Sequence, residues 1–271
     1  MRVALTGATG RLGGMIAPAL AAAGYDLNLL PGWRLGDTPD LRGTDALVHL
    51  ALSHAPGRYR GGEGDDPAGF RAANLDGTLR LWDAAIRDGV GRVVFLSSRA
   101  VHDGHPPGMR LPDDLPPAPT SLYGQIKAQA ESALAALPLH GTSLRATGVY
   151  GPGRAHKWAP LFADFLAGQP IEPHVATELH GDDLAAAIAL ILRHPAPPAT
   201  LNASDLVLDR RDLLAEVAAL TGCRHPLPAR ADASGLRVPD CTGLAAMGWH
   251  PGGITGLRAS LPGLICDIPA S

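Results

Sequence analysis

Residues 3–13 read Val3-Ala-Leu-Thr6-Gly7-Ala-Thr-Gly10-Arg-Leu-Gly13, and this stretch decides the fold. A short apolar run suits a buried strand, and glycines spaced three apart close it. Small and apolar residues then dominate 12–23, with Gly24 as a helix stop. Strand, glycine turn and helix in that order make a phosphate cradle. Glycine permits the tight turn and the close approach of backbone N–H groups, and the helix N-terminus supplies positive potential. Chance competes seriously, because 33 glycines in 271 residues produce such a spacing about half a time at random. Location decides: the motif stands at the head of a βαβ alternation. A dinucleotide site is expected, with Gly7, Ala8, Thr9, Gly10, Arg11 and Leu12 binding the cofactor.

Working outward, 27–30, 46–51, 92–97 and 142–145 read as strands, and 67–88 and 121–137 as helices, with Pro67 and Ser121 suited to their first turns. That alternation predicts an α/β fold, a doubly wound parallel Rossmann-type sheet. Beyond Tyr150-Gly-Pro-Gly153 the rhythm loosens into helices at 158–167, 182–193 and 210–220 and a strand at 199–203. The expected division is a dinucleotide-binding domain over 1–150, with 180–203 returning to it. Residues 151–271 then form mainly a smaller, interleaved C-terminal substrate domain over the strand ends.

Composition narrows the class. Hydrophobic residues at 46% and charged ones at 18% support a sizeable core and exclude a disordered chain. A net charge of −3 favours neither nucleic acid nor anionic membrane. No apolar stretch reaches about 18 residues, and Met1 runs straight into a strand without a secretory leader. A soluble, cytoplasmic protein is expected. Cys223, Cys241 and Cys266 are dispersed, which fits reduced thiols better than disulfides or zinc. No metal is expected: His102, Asp103 and His105 read as a polar loop, and His180, Asp182 and Asp183 as a helix cap. His54, Arg58 and Arg60 follow the third strand, where a substrate approaches, and His54 is a substrate-binding candidate.

Tyr123-Gly-Gln-Ile-Lys127 puts a phenol and an ammonium on one helix face. A neighbouring cation favours the phenolate and tunes tyrosine for proton exchange with a substrate oxygen. With four tyrosines and two lysines in the chain, this spacing arises by chance only about 0.03 times. Ser97-Ser98 ends the preceding strand, where the Rossmann rule places active groups. The second strand ends in Leu30-Pro31-Gly32 without the acidic residue that holds a ribose diol; Asp26 comes too early. Arg11 and Arg34 are placed to face a 2′-phosphate, although solvated surface charge explains them equally well. The cofactor stays open between NAD and NADP, with a slight lean to NADP.

With these pieces the chain resembles the extended short-chain dehydrogenase/reductase family, of the NAD-dependent epimerase/dehydratase type, over nearly its whole length. The matching residues are Thr6-Gly7-Ala-Thr-Gly10-Arg-Leu-Gly13, His49-Leu-Ala51, Asn74-Leu-Asp-Gly-Thr78, Ser97-Ser-Arg-Ala-Val101, Tyr123-Gly-Gln-Ile-Lys127, Leu144-Arg145, Val149-Tyr-Gly-Pro-Gly153, His180-Gly-Asp-Asp183 and Leu244-Ala-Ala-Met-Gly248-Trp-His-Pro251. The resemblance implies that Tyr123 is the catalytic acid/base, that Lys127 holds the nicotinamide ribose and lowers the Tyr123 pKa, and that Ser98 is the catalytic hydroxyl. Ser98 and Tyr123 would thereby also contact substrate. Leu50 and Ala51 would line the dinucleotide groove, and a homodimer would form through the helices at 67–88 and 121–137.

Departures from the family pattern shape the expectation further. Arg99-Ala100 stands where dehydratases carry an acidic pair, and Gly148 where nucleotide-sugar enzymes often show asparagine. His102 replaces a usual tyrosine, and 30–45 is too short for the normal strand–helix pair. A small sugar, uronate or other hydroxy/keto compound fits this pattern better than a nucleotide sugar. The leading expectation is an NAD(P)-dependent oxidoreductase at a secondary alcohol or ketone. The alternatives are an epimerase that retains its cofactor and, from another class, a non-catalytic NAD(P)-binding sensor.

Overall fold

The structure is a computed structural model that describes residues 1–55, 62–153 and 156–267. In chain order it places β1 (Arg2–Thr6), α1 (Arg11–Ala22), β2 (Asp26–Asn28), β3 (Ala46–His49), α2 (Pro67–Arg71), α3 (Gly77–Arg87), β4 (Arg92–Ser98), β5 (Arg110–Leu111), α4 (Leu122–Ala135) and β6 (His140–Ala146). There follow β7 (Gly148–Tyr150), α5 (Ala159–Leu166), β8 (Val175–His180), α6 (Gly181–Arg193), β9 (Thr200–Ala203), β10 (Leu206–Asp209), α7 (Arg210–Thr221), β11 (Val238–Pro239), α8 (Thr242–Ala246) and α9 (Gly253–Cys266).

Six strands form one parallel sheet in the order β2-β1-β3-β4-β6-β9. Its strands are apolar on both sides because both sides are covered. Val3, Leu5, Ala46, Val48, Val94 and Leu96 face α1 and α6. Their alternates Ala4, Leu47, Val93 and Phe95 face α2, α3 and α4. Burying each large aliphatic side chain stabilises by about 1.5–3 kcal/mol, so the two-residue alternation fixes the register. This is the expected doubly wound sheet. A separate apolar cluster joins Tyr150, Trp158 and Phe162 to Leu213, Leu214, Leu257 and Leu261. Near it β10, β8 and β7 form a small mixed sheet.

Two elements differ from expectation for local reasons. The second strand stops at Asn28 because Asn28 Oδ1 accepts the Leu30 N–H at 3.2 Å and Leu30 takes φ 48°, turning the chain out of the sheet. The helix expected over 67–88 carries a wide turn at Ala72–Asp76. Asn74, in that turn, donates Nδ2 to Ser53 O and accepts Ser53 N–H at Oδ1, clamping the helix to the chain after β3. Between β2 and β3 there is only a loop.

The glycine loop is tight at two points. A Cβ on Gly13 would lie 2.2 Å from Gly7 O, and one on Gly7 (φ +73°) 2.8 Å from Ala51 N, whereas Gly14 faces open space. Gly13→Ala is therefore expected to destabilise the chain by about 1–3 kcal/mol. Gly14→Ala, a helix-interior replacement, is expected to stabilise it by about 0.5–1 kcal/mol. Denaturant unfolding of the two variants checks both signs.

Candidate active site

A cleft of about 1120 Å³ opens across the C-terminal ends of the central strands. Its walls take in Gly7, Thr9, Gly10, Arg11, Leu12, Arg34, Leu50, Ala51, His54, Ser98, Tyr123 and Lys127. Of the described residues expected to bind cofactor or substrate or to catalyse, Ala8 lies off the wall and packs against an apolar cluster. Arg58 and Arg60 lie outside the described residues.

One end of the cleft is built from backbone. Gly10 caps α1 without a side-chain hydrogen bond, and the first turn of α1 has no acidic residue. Its N–H groups thus offer positive potential to an anion. Thr6 Oγ1 accepts N–H bonds from Leu50 (3.2 Å) and Ala51 (3.3 Å) and contacts His49 Nδ1 at 2.6 Å. His49 Nε2 meets Thr78 Oγ1 at 3.1 Å, and that hydroxyl donates to Asn74 O. Because the Thr78 proton is spent on a carbonyl, His49 carries its own on Nε2 and accepts from Thr6 at Nδ1. Burial and the nearby Lys127 ammonium hold His49 at a pKa of about 3, so it stays neutral. Glycines that admit no Cβ, an uncapped helix end and this stitched floor suit a dinucleotide pyrophosphate.

The other part is built from side chains. Ser121 caps α4 through Gly124 N (3.1 Å). A Cβ on Gly124 would lie 2.7 Å from Ala100 O, so glycine lets α4 close on the turn after Ser98 and brings Tyr123 to the cleft. Ser98 Oγ accepts the Ala100 N–H at 3.2 Å. Lys127 is only 5% exposed. Its Nζ donates to Leu96 O at 2.8 Å and sits 4.5 Å from the Phe95 ring centroid and 5.9 Å from that of Tyr123. Burial lowers its pKa to about 8, against the pull of Glu131.

Glu131, Lys157 and Glu178 were not singled out from sequence. Glu131 accepts from Ser97 Oγ and is paired with Arg145 at 2.8 Å, all three buried. Arg145 also donates to His102 Nε2 at 3.2 Å, and burial followed by that guanidinium keeps His102 neutral at about 3. Glu131 was within reach of sequence reasoning, since it stands one helical step of four beyond Lys127. Lys157 and Glu178 form an ion pair on the wall, and a Cβ on Gly148 would press on both. Their pairing depends on β7 meeting β8, a contact no local pattern announces. His54 lines the cleft with Nδ1 against Ala55 O at 2.8 Å. His180 caps α6 through Asp182 N, as the sequence suggested.

A doubly wound sheet with a glycine loop at its switch point defines a Rossmann-type nucleotide-binding protein. The family described as "NAD dependent epimerase/dehydratase family" matches residues 3–203, and the chain belongs to it. A dTDP-glucose 4,6-dehydratase of Streptomyces niveus is 34% identical over 161 residues, covering 55% of this chain and 46% of the relative. The chain spans about half the length of the curated relatives it matches. A UDP-glucose 4-epimerase of Thermus thermophilus, solved with NAD, is 27% identical with a TM-score of 0.78, covering 97% of this chain and 98% of that one. RMD of Pseudomonas aeruginosa, solved with NADPH, shares the fold at 24% identity and a TM-score of 0.79, with 100% of each chain covered. Among the described residues no helix is long and apolar enough to cross a membrane.

The Lys127 environment has a measurable signature. Its folded pKa, about 8, lies below the ordinary 10.5. Between those values the unfolded chain holds a proton that the folded chain has lost, so stability rises with pH there. The penalty is full below pH 8 and is relieved by about 10.5. Native stability relative to Lys127→Met is expected to climb by about 3 kcal/mol across that window. Parallel denaturant titrations at each pH check this; a flat difference would contradict it.

Proposed function

We propose that the chain is an NADP-preferring oxidoreductase that interconverts a secondary alcohol and a ketone on a small sugar-like or hydroxy/keto substrate. The observation that carries this reading is the meeting of Ser98, Tyr123 and Lys127 with the glycine loop on one cleft. A bound nicotinamide supplies the hydride acceptor or donor. In the oxidising direction the Tyr123 phenolate takes the substrate hydroxyl proton. Ser98 Oγ already accepts from Ala100 N, so its own proton is available to the substrate oxygen. Lys127 spends one N–H on Leu96 O and keeps two for a ribose diol, while its charge favours the Tyr123 phenolate.

Cofactor preference is read from two cations on the wall. Arg11 and Arg34 line the cleft, and the loop carboxylate of Asp37 is engaged by the Arg34 N–H at 2.8 Å. A compact substrate is supported by the Lys157–Glu178 pair, which takes the space beside Gly148. Arg99 of the Arg99-Ala100 pair is bound to Asp103 at 3.1 Å and supplies no acid for water elimination. An epimerase that retains its cofactor is the second reading, favoured by the Thermus thermophilus relative. The same Tyr123 would serve both of its half-reactions.

Calorimetric titration with NAD and NADP, followed by a substrate panel in an assay of nicotinamide reduction, tests the proposal. NADP is expected to bind more tightly. Tyr123→Phe is expected to lower turnover by about 10²–10⁴-fold with dinucleotide affinity nearly unchanged. Product formed without net reduction of cofactor would establish the epimerase instead. Full cellular function of Tyr123→Phe with intact cofactor binding would point to a sensor.

A further inference from the structure

The adenosine end of the cleft lacks a strand and helix between β2 and β3, and a short loop stands in their place. That loop is firmly built. Trp33 N–H donates to Leu30 O (3.1 Å) and Asp37 N–H to Arg34 O (2.9 Å). Arg80 Nε donates to Gly36 O at 3.0 Å and ties the loop to α3. A Cβ on Gly77 would lie 2.9 Å from Gly36 N, so glycine at 77 lets the loop seat on the helix.

Trp33 lies on this loop, half-buried against the apolar layer below and lining the cleft beside Leu35 and Leu12. Its indole Nε1–H is spent on Asp37 O at 3.0 Å. What remains for a ligand is the ring face, held by a pinned backbone. In a Rossmann sheet the cofactor's adenosine ribose sits at the end of the second strand, about 20 residues past the glycine turn. That count from Gly13 ends at Trp33. Among the described residues, the other large aromatic residues of the wall, Tyr123 and Trp158, belong to α4 and to the cluster of the C-terminal half.

We infer that Trp33 is the platform on which the adenine ring of the dinucleotide stacks, replacing a pocket that a longer 30–45 segment would have built. The inference rests on the dinucleotide reading above. Stacking of a base on an aromatic side chain is worth enough that its removal weakens binding by about tenfold or more. Arg34, adjacent on the loop and without an ion pair among the described residues, then reaches the ribose of the same nucleotide.

The test uses the full chain and half-molecules of the cofactor, adenosine 2′,5′-bisphosphate and 5′-AMP, titrated by calorimetry and by tryptophan emission. The tighter of the two is expected to quench emission in the native chain. Trp33→Phe, which keeps a ring face, is expected to bind it within a few-fold of native with that quench gone. Trp33→Leu, which keeps apolar bulk without a ring, is expected to bind it about tenfold more weakly. Binding by Trp33→Leu as tight as native would overturn the platform and leave the dinucleotide reading standing. So would a native chain that binds NAD or NADP but neither adenosine probe. A native chain that binds no dinucleotide at all would remove both.

Discussion

One side-chain oxygen, Oγ1 of Thr6, ties the two strands that flank the switch point. It holds the first backbone amides after β3 and continues through His49 and Thr78 to Asn74 on the wide helical turn. Every member is buried or nearly so, and a broken link would leave a buried polar group unpaired at about 1–3 kcal/mol. The chain of bonds has one direction, set by the carbonyl at its far end. It holds Leu50 and Ala51 against Gly7, and that backbone approach is what makes the loop a cradle rather than a turn.

Charge is arranged around the same floor with little redundancy. Lys127 and Arg145 are two buried cations beside a single buried carboxylate, Glu131. Arg145 takes that carboxylate directly, leaving Lys127 a carbonyl and two aromatic faces. Two histidines within this region, His49 and His102, stay uncharged, so neither adds to the positive excess. Burial, against the pull of Glu131, then lowers the lysine's pKa to about 8.

Much of this was legible in the sequence, and what was legible shares a cause. Strand alternation, the glycine loop and the Tyr123–Lys127 spacing are local patterns, and each needs only a helical or extended backbone to bring its residues together. Ser98 could be placed because strand ends converge in a parallel sheet. Lys157 and Glu178 could not, since they meet only when β8 pairs with β7. Trp33 was equally hidden: nothing in Leu30-Pro31-Gly32-Trp33 shows that the loop folds onto α3, because Gly36 and Gly77 must both be in place. The early end of β2 was missed because Asn28 competes for its own backbone.

The shortened second strand has a consequence for the border of the sheet. With three residues in β2, few amides and carbonyls are left without a neighbour on that side. A longer unpartnered strand there would be a template onto which another molecule's chain could add. A three-residue edge is one of the ways in which a sheet guards its border against such addition.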